Sequence, residues 1–297
     1  IWSMIDRFLD YIKVEKRYSD NTIVSYKRDL KDFISFLNET ESTDDTLSVD
    51  KRIIRNFMVH LNKHKLAENS INRKLTTLRG YYNFLLKIGE IKVSPLESVK
   101  SLKFNPKKQI PLSVEEMERL SKLEFQGEHS LLEILIIETL YQTGMRRFEL
   151  CNMELQNVDL SKNEIKISGK GNKTRVVPIA EDLSRLMKDY IEKERNPLEA
   201  CEKYFFVSTK GKKITENFVY VTVNSYLSAV TCKEKKSPHI LRHTFATHIL
   251  NNGAEISKVK AILGHSSLAS TQVYTNADIE QMKRIFNISH PRAKKKN

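Results

Sequence analysis

The stretch "LGHSSLASTQVYT", residues 263–275, holds His265 and Tyr274 among small and hydroxylated residues. Three other segments carry side chains fit for chemistry. "YQTGMRRFEL" places Arg146 just after a glycine-containing turn with Glu149 three residues on, where a carboxylate can orient a guanidinium. "SGKGNKTRVVPI" sets Lys170 between glycines, on a turn that lets an ammonium approach a ligand closely. "HILRH" puts His239 and Arg242 three apart, on one face of a helix. Each alone has an ordinary explanation: a surface ion pair, a hairpin turn, a packed histidine. Together, two arginines, a lysine, two histidines and a tyrosine supply what phosphoryl transfer to a protein nucleophile requires. The arginines grip non-bridging oxygens and neutralise transition-state charge, an acid protonates the departing alkoxide, and the phenol attacks. A phenol, with a reference pKa of about 10, also leaves more readily than an alkyl alcohol, so an incoming hydroxyl can reverse the linkage without ATP.

The charge of the chain indicates which phosphate. Its 297 residues carry 50 Lys and Arg against 37 Asp and Glu, a net +13. Such a surplus favours a polyanion, because each neutralised phosphate releases condensed counterions. Residues 1–110 hold 21 basic against 14 acidic side chains and residues 111–297 hold 29 against 23, so both halves are basic, as suits a protein gripping double-stranded DNA from two sides. No apolar run approaches the roughly 18 residues a membrane span needs, and no secretory pattern opens the chain. A cytoplasmic protein with a natural start at Met4 is expected. Cys151, Cys201 and Cys232 lie far apart with no C-x-x-C pair, which argues against a disulfide framework or a thiolate zinc site. A metal enzyme would have to use the i, i+4 pairs His239/His243 or His60/His64, but neither belongs to an H-E-x-x-H pattern. A purely architectural DNA-binding protein accounts for the charge and leaves the Arg, Lys, His and Tyr set without a use.

In their order, Arg146, Lys170, the pair His239 and Arg242, His265 and Tyr274 resemble the active site of the tyrosine recombinases, the integrase and recombinase family. "TGMRRFEL", "GKGNKTRVVPI", "PHILRHTFATHIL", "LGHSSLASTQVYT" and "HPRA" at 290–293 are closer still to the Xer-type, XerC/XerD-like members that resolve chromosome and plasmid dimers. The resemblance covers almost the whole chain. It implies that Tyr274 forms a 3′-phosphotyrosine bond and frees a 5′-hydroxyl, and that Arg146, Arg242 and His265 stabilise the pentacoordinate phosphate. Lys170 would then protonate the 5′-oxygen, His239 assist proton transfer at the tyrosine, and Glu149 be the acidic residue beside the first arginine. It implies no metal and no nucleotide cofactor. It further implies a homo- or heterotetramer on two duplexes, with a second Xer-type recombinase and an activating DNA translocase as candidate partners. A helical lobe starting almost at residue 1, with no separate arm-binding domain before it, favours the Xer-type reading over an integrase of a transposon or phage; a type IB topoisomerase shares the chemistry. Two features depart from the family pattern: Arg147, where a small apolar residue is commoner, and "AKKKN" beyond "HPRA". The spacing to Glu149 selects Arg146 over Arg147.

The elements that must position these residues follow from periodicity. "YSDNTIVSYKRDLKDFISFL" has a capping serine, Ser19, then Ile23, Tyr26, Leu30, Phe33 and Leu37 at helical steps; "NSINRKLTTLRGYYNFLLKIG" repeats the plan with Ile71, Leu75, Leu78, Tyr82 and Leu85 and stops at Gly89. The opposite face of that second helix offers Arg73, Lys74, Thr77 and Arg79 to phosphates. Helices are also expected near 3–16 and 49–64. "SLKFNPKKQIPLS" reads as a basic linker before a capping box formed by Ser113 and Glu116. A helix over "LLEILIIETLYQTG", a hairpin in "NEIKISGKGNKTRVVPIA" with Lys173 and Arg175 as further DNA contacts, and helices at 181–196, 215–230, "SPHILRHTFATHILNNG" and "EISKVKAILGH" complete the pattern. In the segment "DIEQMKRIFNISH", Ile279, Met282, Ile285 and Phe286 form an apolar stripe that a neighbouring protomer or its own lobe must cover. The expected fold is mainly α with a small antiparallel β-element, a two-lobed clamp. It comprises a helical core-binding (DNA-binding) domain at 1–100, a basic linker at 101–112, a tyrosine-recombinase catalytic domain at 113–277, and a C-terminal exchange segment and basic tail at 278–297.

Overall fold

Apolar residues spaced by three and four form helices along this chain, and glycine or capping side chains end or start several of them. The computed structural model describes residues 2–105, 109–124, 131–169, 174–264 and 276–293. The chain divides into two units, Ile1–Lys107 and Lys108–Asn297.

The first unit holds α1 (Trp2–Val14), α2 (Asp20–Thr40), α3 (Lys51–Lys63) and α4 (Glu68–Lys87). Ser19 caps α2, its Oγ accepting from the Thr22 amide at 3.4 Å, and Asp50 caps α3, accepting from Ile53 at 2.9 Å. Gly89, at φ +79°, turns the chain away after α4. The predicted stripe of α4, Ile71, Leu75, Leu78, Tyr82 and Leu85, is buried throughout. It packs with Leu30, Phe33 and Leu37 of α2 and with Phe57 of α3, whose ring meets Phe33 edge-on at 4.9 Å.

The polar face of α4 departs from the prediction. Lys74 and Thr77 are buried. Asp29 of α2, itself buried, draws them inward: it accepts from the two Arg73 Nη atoms at 2.6 and 2.7 Å, from Lys74 Nζ at 3.1 Å and from Thr77 Oγ1 at 2.9 Å. A buried carboxylate demands such donors, and Asp29 holds Lys74 and Thr77 inward. Arg73 and Arg79 keep some exposure, although the Val99 carbonyl holds Arg79 at 2.9 Å.

The second unit opens with α5 (Val114–Glu124), where Ser113 and Glu116 form the expected reciprocal cap at 2.7 and 3.1 Å. Then follow α6 (Leu131–Thr143), the short α7 (Arg147–Cys151), β1 (Val158–Asp159), β2 (Glu164–Ser168) and β3 (Thr174–Pro178). After the sheet come α8 (Glu181–Lys193), α9 (Glu216–Val230), α10 (Pro238–Asn251), α11 (Ile256–Leu263) and α12 (Asn276–Ser289). α6 is buried almost entirely and packs against α8 and α10, so it is the axis of this unit. β2 and β3 pair antiparallel with Ile165 opposite Val177 and Ile167 opposite Arg175, and β1 adds a third strand beside β2. Of the apolar stripe of α12, Met282 and Phe286 are buried and Ile285 packs on the core of this unit. No helix among the described residues is long and apolar enough to cross a membrane.

Candidate active site

Three of the six predicted catalytic residues, Arg146, His239 and Arg242, fall within the described residues, and α6, α7, α10 and α11 position them. Arg242 lies on α10 and is only 7% exposed. One of its Nη atoms donates to the Gly144 carbonyl and the other to the Leu263 carbonyl, the latter at 2.7 Å. Gly144 has φ +60°, and a Cβ there would lie 2.6 Å from Phe245 and 2.7 Å from Leu263. Only glycine lets the turn after α6 come this close to α10 and α11. Two residues on, Arg146 is the N-cap of α7, with 44% of its side chain exposed.

Glu149 fixes that turn. It accepts from the Arg146 backbone amide at 2.7 Å and from Arg146 Nη1 at 3.0 Å. From the opposite side Arg175 of β3 grips it with both Nη atoms, at 3.0 and 2.8 Å, and sends its Nε to the Ile262 carbonyl at 2.7 Å. Arg175 is therefore a buried strut joining β3, α7 and α11, not the exposed DNA contact that the hairpin reading expected. Strand alternation carried the signal, since Arg175 shares the inward face with Val177.

The electrostatics of the cluster are unbalanced toward positive charge. Burial would raise the Glu149 pKa, but the Arg175 and Arg146 guanidiniums outweigh it and hold the carboxylate below its usual range. Burial lowers the Arg242 pKa to about 10, helped by repulsion from Arg146 and Arg175. The His239 imidazole is lowered as well, by burial first and then by Arg242, Arg146 and Arg147. His239 sits in the first turn of α10, and its lowered pKa favours the neutral imidazole in the absence of an anion. The arrangement is a receptor for an anion whose arrival would relieve the mutual repulsion of the cations.

Lys170, Lys173, His265 and Tyr274 lie outside the described residues. The chain leaves α11 at Leu263, whose carbonyl holds Arg242, and at Gly264, φ +66°, immediately before His265. Among the described residues no group of three or more His, Cys, Asp or Glu side chains could hold a metal ion.

A second polar network escaped the sequence reading. The Leu112 carbonyl accepts from His248 Nε2 at 2.8 Å, so Nδ1 accepts from the Tyr141 hydroxyl, also at 2.8 Å. His290, fully buried, stacks on Phe286 and accepts at Nδ1 from the Arg292 amide at 3.1 Å. Arg292 in turn donates to Glu138 at 2.7 and 3.1 Å. "HPRA" was its visible trace, but nothing in the local sequence says that these residues turn inward against α6.

The amino-acid sequence matches the model described as the phage integrase family over residues 110–281, and that described as the phage integrase, N-terminal SAM-like domain, over residues 5–89. The chain is similar to the tyrosine recombinase XerC of Pediococcus pentosaceus, with 34% identity over 296 residues and 98% of each chain covered. It is similar to XerC of Halalkalibacterium halodurans, with 35% identity over 300 residues and 97% of each. Among solved structures, the XerH site-specific recombinase bound to palindromic difH substrate in a post-cleavage complex matches with a TM-score of 0.71 at 21% identity, over 96% of this chain and 94% of that one. A lambda integrase dimer bound to a core site matches with 0.72 at 15% identity, over 92% and 99%. These two structures share the fold.

Proposed function

Because the chain belongs to the phage integrase family, the tyrosine recombinases, we propose that it resolves chromosome or plasmid dimers at a dif-like site with Tyr274 as its nucleophile. It is a site-specific recombinase that cleaves and rejoins DNA. In the reaction, the Tyr274 oxygen attacks the scissile phosphorus and the bond to the 5′-oxygen breaks, leaving a 3′-phosphotyrosine and a free 5′-hydroxyl. Lys170 gives the leaving oxygen its proton and His239, neutral beforehand, receives the proton of the phenol. Arg146, Arg242 and His265 take up the charge of the pentacoordinate phosphate. The reverse attack by a 5′-hydroxyl of the second duplex completes the exchange and restores the phenol. The enzyme acts in the cytoplasm, within a tetramer on DNA that includes a second Xer-type recombinase or further copies of this chain, under the control of a DNA translocase.

What carries this reading is the surplus of cations around His239, with Glu149 committed to orienting Arg146 and Arg175. Identity to XerC proteins over nearly the whole chain supports the dif-like substrate. The test is incubation of the protein and its Tyr274→Phe variant with a nicked suicide duplex carrying a dif-like site, in EDTA and without ATP, followed by a denaturing gel. A protein–DNA adduct formed by the unsubstituted chain alone is expected. An adduct formed equally by the Tyr274→Phe variant would overturn the assignment of Tyr274, and binding without an adduct in either protein would overturn the cleavage itself.

A further inference from the structure

Arg147 stands next to Arg146 and has no part in the reaction as described. Its Nε donates to Glu216 at the first turn of α9, at 2.8 Å, and both side chains are more than a third exposed, 39% and 36%. An ion pair this exposed contributes about 0–1 kcal/mol, and two neighbouring guanidiniums repel, so stability gives little reason for the arrangement. Its geometry suits binding. A bond through Nε fixes the plane of the guanidinium, and among the described residues Glu216 is the only hydrogen-bond partner of Arg147, which leaves both Nη groups for a ligand.

Resting on the recombinase reading, we propose that Arg147 binds a second DNA phosphate, beside the one that Arg146 holds, with Glu216 aiming the guanidinium. The field of Arg147 also reaches His239, which places its charge on the side of the candidate active site. Arg147 is then a clamp on the strand: it holds the backbone in register while Arg146 and Arg242 act on the scissile group. A lysine there would keep the charge and lose the planar fork.

The test is fluorescence anisotropy with a labelled dif-like duplex over a salt series, in the Tyr274→Phe background so that the DNA stays intact. Arg147→Ala should weaken binding and lower the slope of log affinity against log salt by about one, the loss of one phosphate contact. Arg147→Lys should keep the slope. Arg185→Ala, which removes an exposed cation on α8 paired with Asp182, should also keep it. With Tyr274 restored, Arg147→Ala should still form the covalent adduct at saturating DNA, unlike a substitution of Arg146. An unchanged slope in Arg147→Ala, or an equal fall in Arg185→Ala, overturns the proposal. The expected loss of slope in Arg147→Ala with no adduct from the unsubstituted chain would sink the recombinase reading and leave the phosphate contact standing.

Discussion

A carboxylate between two guanidiniums is the most constrained residue of the site. Glu149 uses both oxygens on both arginines, and the Arg175 side chain it faces is 5% exposed. Removing the carboxylate strands that guanidinium, and breaking a buried pair from one side costs about 3–5 kcal/mol. Glu149→Ala should therefore lower the free energy of unfolding in urea by that amount. Glu149→Gln, which keeps an acceptor, should cost less, and a loss below about 1 kcal/mol in the alanine variant would mean that water replaces the carboxylate. The folded pKa of Glu149 is lowered, so the stability it contributes is present above the ordinary carboxylate pKa and is lost as pH falls through the lowered value.

At the level of elements, the site depends on how closely the turn after α6 approaches α10 and α11. Gly144→Ala would meet both a left-handed backbone and the atoms of Phe245 and Leu263. The two penalties together come to about 2–5 kcal/mol. A urea midpoint shift of that size, with slower adduct formation because the Gly144 carbonyl no longer seats Arg242, is the expected result; an unshifted midpoint would refute the close approach. Elements of this kind were legible unevenly. The apolar periods of α2 and α4, the cap of Ser19 and the reciprocal cap of Ser113 with Glu116 are local signals, and the chain displays them directly. α7 and β1 are too short to show a period. Lys74 and Thr77 read as polar residues of an outer face because what turns them inward, Asp29, lies on another element, whereas the inward place of Arg175 was carried by the alternation of β3. The order of Arg146, His239 and Arg242 along the chain was visible; their dependence on Gly144, Glu149 and Arg175 was not.

At the scale of the whole molecule, the C-terminal α12 belongs to the core of the second unit, and the residues after it tie it there. Its anchor contains histidines buried without charge. Burial lowers the His290 pKa to about 3, aided by repulsion from Arg292 and opposed by its bond to the Tyr141 carbonyl; His248 is lowered by burial too. A lowered histidine pKa means that the unfolded chain binds more protons than the folded one at every pH between the two values. For His290, stability is then complete above the unfolded pKa, about 6.5, and falls on acidification toward about 3, by up to about 1.4 kcal/mol for each pH unit. Urea unfolding of the protein and of His290→Gln from about pH 7 down to about pH 5 tests this. The glutamine variant starts less stable, because a tight aromatic stack is lost, but it should lose stability with a shallower slope, His248 supplying what remains. Parallel profiles would mean that His290 takes up its proton in the folded state, and that the segment after α12 opens to water well before the core of the unit does.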